Sequence, residues 1–133
     1  MGDIMPSNVK NYLGLSIVGI AIGLVAAYFN FDDALAKIPM ANASTVLIIS
    51  YAVGFAISIG LIAAVAWGRQ NWARWLQAVL FVLGLPFLIK ALPTMFATNT
   101  FQAGTTIIQT IIQAVALFFI FTGDAKAWFR KAG

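Results

Sequence analysis

Polar positions are sparse along this chain, and the apolar ones gather in four long blocks. They run roughly over 12–31 (YLGLSIVGIAIGLVAAYFNF), 45–67 (TVLIISYAVGFAISIGLIAAVAW), 75–97 (WLQAVLFVLGLPFLIKALPTMFA) and 103–121 (AGTTIIQTIIQAVALFFIF). A helix crossing a bilayer needs about 20 mostly apolar residues, and each block is long enough. About seven residues separate the second block from the third, so those helices are expected to be antiparallel neighbours. The pattern predicts an all-α fold: one domain over 1–133, with four antiparallel transmembrane helices in an up-down bundle. Residues 124–131 (DAKAWFRK) are predicted as a short interfacial tail helix, with Asp124 as its N-cap and Trp128 and Phe129 on its apolar side. The first apolar run exceeds the roughly 7–15 residues of a signal-peptide core, so it is expected to stay as a span.

Charge then orients the bundle. Lys10, Arg69, Arg74, Lys126, Arg130 and Lys131 fall on one side, and only Lys37 and Lys90 on the other. The bias of basic residues toward the cytoplasm puts both termini and the "RQNWAR" turn there. All four tryptophans (Trp67, Trp72, Trp75 and Trp128) gather at the same interface, at headgroup depth. In "WGRQNWARW", Gly68 is expected to end the second span and Arg69 to cover its last carbonyls. Asn71 is expected to cap the third span, and Arg74 to meet a lipid phosphate. With Arg130, these residues are read as a membrane-interface anchor on anionic headgroups.

Composition narrows the chemistry further. The chain is 62% hydrophobic and 9% charged, against about 25% charged in a soluble domain. It has no Cys and no His, and its four acids are Asp3, Asp32, Asp33 and Asp124, all outside the apolar blocks. Thiol redox chemistry, Cys/His zinc sites and His- or Cys-held haem are thereby excluded. Without an imidazole or a buried acid, an enzyme is not expected, and no cofactor or metal site is assigned. The net charge of +4 is thinly spread beside apolar segments, which favours anionic lipid over nucleic acid as counterpart.

Three constellations remain as candidates. Gln102, Thr106, Gln109 and Gln113 fall 4, 3 and 4 residues apart on one face of the fourth span; hydrocarbon cannot satisfy an amide, so this stripe should face protein or water. Lys90 lies between Pro86 and Pro93 in "LPFLIKALP", where the helix is expected to kink or unwind. At about 1.5 Å per residue it stands roughly 22 Å along the span from Trp75, within reach of the outer boundary by snorkelling or buried as a cation. Gly19 and Gly23 form a GxxxG, and Gly54, Ser58 and Gly60 belong to small-residue seams on the second span; both patterns allow close helix packing.

The turn "GRQNWAR", the following "LQAVLFVLGLPF" and the closing "AKAWFRK" resemble small, uncharacterised bacterial four-span inner-membrane proteins. Those carry an R-x-N-W-A-R cytoplasmic turn and a Trp-Phe-Arg tail. The resemblance covers roughly 67–131 and implies a multi-pass location in a bacterial inner membrane, with no activity attached. Small multidrug exporters require a glutamate in their first span, disulfide-generating membrane oxidoreductases require cysteines, and cytochrome-b-like bundles require histidine pairs. This chain has none of these. The glycine-rich arginine signature and phenylalanine box of fluoride channels are not found either. The expected function is that of a non-enzymatic membrane protein acting through helix contacts, as an accessory or protective (immunity-like) subunit of a larger assembly. The alternative is an oligomeric channel or carrier for a small neutral or anionic solute, with Lys90, Gln109 and Gln113 on its path.

Overall fold

The computed structural model describes residues 4–130; Asp3 and Lys131 lie outside that range. Every element within it is a helix: α1 (Ser7–Phe29), α2 (Phe31–Ala36), α3 (Ala43–Ala66), α4 (Asn71–Thr98), α5 (Thr100–Phe121) and α6 (Ala125–Arg130). Four of them, α1, α3, α4 and α5, are long and apolar enough to cross a membrane.

Local chemistry sets the boundaries. Pro6 precedes α1, where its missing N–H costs nothing, and its carbonyl accepts from Lys10 N at 2.9 Å. Asn30 ends α1: its backbone N–H and its side-chain Nδ2 both turn back to the Ala26 carbonyl, at 2.9 and 2.8 Å. The chain then makes a separate short helix, α2, so the first span closes two residues sooner than the apolar pattern predicts. Asp32 and Asp33 sit in the first turn of α2, where the helix dipole favours an anion. Asp33 also meets Lys37 at 3.3 Å on an exposed face. Asn99 caps α5 by accepting from Gln102 N at 3.1 Å. At the α3–α4 turn, a side chain on Gly68 would meet the Ala64 carbonyl oxygen at 2.8 Å, so only glycine fits. Arg69 follows with a positive φ of 55°.

The expected unwinding at "LPFLIKALP" is not found, because α4 runs as one helix of 28 residues with Pro86 and Pro93 inside it. Each proline removes one donor and frees one carbonyl, while the bonds on the other faces of the helix remain.

The four long helices form a ring in which α1 touches α3 and α5, and α4 touches α3 and α5. The closest pair is α1 with α5. They run antiparallel, since Asn8 meets Thr122 at one end and Asn30 meets Asn99 at the other. Packing is concentrated at the first of these ends. There Val9 and Tyr12, Val65 and Ala66, Ala73, Ala116, Leu117 and Ile120 close over Ala125, Trp128 and Phe129 of α6. The middle of the ring is looser. Ala73 is the only buried residue of α4, and those of α3 lie at its two ends. The exposed aliphatic and aromatic side chains between are the surface such helices turn to lipid.

Candidate functional site

Two places concentrate polar groups: the packed end, and a cavity above it. At the packed end, the tail is held by ions and caps. Asp124 stands immediately before α6. Its two carboxylate oxygens accept the backbone N–H groups of Ser7 and Asn8, each at 3.0 Å, and so cap α1 from 117 and 116 residues away. Asn8 Nδ2 donates to the Thr122 carbonyl at 2.8 Å. Gly123 between them has φ +60°, and an added Cβ would fall 2.7 Å from Asn8 Nδ2.

The arginines of the turn also serve the protein. Arg69 Nε donates to the Trp128 carbonyl at 3.0 Å, with the guanidinium 4.2 Å from the Trp128 ring centre. Arg74 Nη1 donates to the Ile120 carbonyl at 2.8 Å, and its guanidinium lies 4.7 and 4.4 Å from the Phe121 and Phe129 rings. This corrects two expectations and adds to a third. Arg69 covers the last turn of the tail helix rather than the end of α3. Arg74, expected at a lipid phosphate, also meets the α5 terminus and two aromatic faces within the protein. Asn71 is the first residue of α4, not its cap, and its Oδ1 accepts from Arg74 Nε at 2.6 Å. The two arginines share a physical reason: α6 folds back under the bundle, so the end of α5 and the tail helix bring carbonyls and aromatic faces within reach of both guanidinium groups. Trp128 and Phe129 are accordingly buried, 7% and 3% exposed, instead of facing lipid. Trp67, Trp72 and Trp75 remain exposed around the same end, and Arg130 is exposed too.

The cavity measures about 310 Å³ and lies between α1, α3, α4 and α5. Tyr12, Ser16, Ser58, Gln77, Gln109 and Gln113 supply its polar side chains, and no charged side chain lines it. Tyr12 is almost fully buried and donates its hydroxyl to Gln77 Oε1 at 2.9 Å. Gln77 Nε2 is buried with no hydrogen-bond partner among the described residues. Gln109 Nε2 reaches across to the Gly19 carbonyl at 3.3 Å. That approach depends on the GxxxG: a Cβ on Gly23 would stand 2.9 Å from Gln109 Nε2 and 3.3 Å from the Phe55 ring. Ser58 bonds back to the Gly54 carbonyl at 2.9 Å.

The structure thus brings together only part of what the sequence singles out. Gln109 and Gln113 share the cavity, whereas Gln102, Thr106 and Lys90 do not line it, and Lys90 is exposed on α4. Gly19 and Gly23 pack within the chain, while Gly54 and Gly60 of α3 face open space with nothing within 4 Å. Tyr12, Ser16 and Gln77 are cavity residues that the sequence reading did not single out as a site. The signal available was the lone amide in "WLQAVLFVLG", since an amide inside an apolar span needs a partner. Comparison with protein families, curated proteins and solved structures finds no match to this chain.

Proposed function

We infer that this multi-pass membrane protein is non-enzymatic and acts through helix contacts, as an accessory or protective subunit of a bacterial inner-membrane assembly. One observation carries the reading. The small-residue seam of α1 is filled by α5, but Gly54 and Gly60 on α3 meet no side chain. In a bilayer, small residues favour close backbone approach by another helix, which lipid tails reward little. The basic residues Lys10, Arg69, Arg74, Lys126 and Arg130 belong to segments that meet at the packed end. Their accumulation there supports an orientation with that end, and both termini, in the cytoplasm. A tagged pull-down from native membranes in mild detergent tests the reading: a stoichiometric foreign membrane protein is expected, lost in Gly54→Leu with Gly60→Leu. A chain that is recovered alone and is indifferent to those substitutions would count against it.

A second reading, an oligomeric carrier or channel for a small solute, rests on Gln109 and Gln113 lining the cavity. With Lys90 outside that lining, the neutral solute is the version the cavity supports. Flux of a neutral polar solute into liposomes, abolished by Gln109→Leu with Gln113→Leu, is its expected result.

A further inference from the structure

The cavity has three properties that together select a ligand. It is uncharged: its polar groups are a phenol, hydroxyls and carboxamides. It is open on one side, because Ile57 and Ser58 of α3 and Leu80 of α4 both line it and are exposed. The gap between α3 and α4 that they border faces the bilayer, not the packed end. Finally, it holds amide groups in want of partners. Gln77 Nε2 is buried and unbonded, and Gln113 makes no side-chain hydrogen bond among the described residues. The terminal torsion of a glutamine is soft, so a modest turn of the Gln77 amide brings its donor into the cavity.

We propose that this cavity binds an uncharged lipid that enters sideways from the bilayer between α3 and α4, its carbonyl or hydroxyl oxygen held by Gln77, Gln109 and Gln113. At roughly 30 Å³ per water-sized group, the volume takes on the order of ten non-hydrogen atoms. That accommodates a glycerol ester head and the first carbons of a chain, with the remaining chain left in the bilayer along the apolar walls. A phosphate-bearing lipid is disfavoured, since its charge would enter a lining with no cation to pair it. The head must instead present acceptors to the amide donors and, through a free hydroxyl, a donor to the Gln109 Oε1. Diacylglycerol is the simplest lipid with both. The inference goes beyond a role in helix contacts and concerns the isolated chain.

The test uses the full chain in nanodiscs with a diacylglycerol carrying a photoreactive diazirine near its ester. Saturable labelling is expected in the peptides around 57–62, 77–80 and 109–117, competed by unlabelled diacylglycerol and not by phosphatidylglycerol. Gln77→Leu should lower labelling about tenfold, as loss of a hydrogen bond to a buried amide would. Ser58→Phe should give a comparable loss by obstructing the mouth from an exposed position, with helix content unchanged. Labelling that never saturates and spreads over the outer faces of all four spans would overturn the proposal. So would equal competition by phosphatidylglycerol, or undiminished labelling in Ser58→Phe. Absent labelling accompanied by cross-linked dimers through α3 and α4 would also overturn it, giving the mouth to a second copy. Binding without solute flux leaves the site standing and removes the carrier reading, so the two fail separately.

Discussion

The packed end and the middle of the bundle are built from the same four helices and follow opposite rules. At the packed end, water-facing chemistry is turned inward: two arginines, an aspartate and an asparagine satisfy N–H groups at the start of α1 and carbonyls at the end of α5 and in the tail. In the middle, the polar groups are neutral and incompletely paired, around a cavity. Charged groups can close a structure at the membrane boundary, where each keeps some contact with water. Deeper in, only neutral amides and hydroxyls are tolerable, and they hold the helices apart as readily as they join them. The difference separates a region specialised for stability from one free to bind.

On that division, the largest effect belongs to the packed end. Trp128→Ala removes a buried ring of the packed cluster and the stacking surface of Arg69. It should cost about 3 kcal/mol, at the low end for large core truncations, and be read as a marked drop in thermal midpoint in detergent. Gly23→Val comes next: its side chain would collide with Gln109 and Phe55, costing roughly 1–3 kcal/mol and wedging α1 from α5. Cross-linking between α1 and α5 would reveal the separation; an unchanged yield would mean that the seam is less tight than the structure has it. Asp124→Ala leaves the N-terminus of α1 without its carboxylate, with an expected loss of about 1 kcal/mol. Faster hydrogen exchange at Ser7 and Asn8 is its specific readout, which a purely global destabilisation would not confine there. The smallest effect is predicted for Lys90→Leu, which should stay within about 0.5 kcal/mol of the parent protein. A larger change would show that the exposed flank of α4 is engaged after all.

The four spans were legible because hydrocarbon imposes a length and a composition that few other environments require. Their ends were less so, and for a definite reason. The apolar pattern in "YFNF" carries the span on to residue 31, but the Asn30 side chain joins its own N–H on the Ala26 carbonyl and the helix ends there. The tail shows the same limitation. Amphipathic spacing in DAKAWFRK gave its helix correctly, yet could not say whether Trp128 would meet lipid or protein. That depended on Arg69, which is 59 positions away in sequence. Gln109 and Gln113 stood out by their spacing within one helix. Gln77 and Tyr12 each look unexceptional alone, and become a site only once α1 and α4 bring them within 2.9 Å. Lys90 drew attention by charge alone, and charge near the end of a span is also what a solvent-seeking side chain looks like.

The Asp124 cap also has a history written into it. It joins residues 117 positions apart, so α1 is finished by a residue made only after α3, α4 and α5. At about 5–20 residues per second, α1 waits roughly 6–23 s for its own N-terminal partner. During that interval, three later spans must insert with the ring still open and the Gly19–Gly23 seam uncovered until α5 arrives. The finished base is therefore less a foundation than a closing stitch: biosynthesis builds this protein from its lipid-exposed walls toward its core.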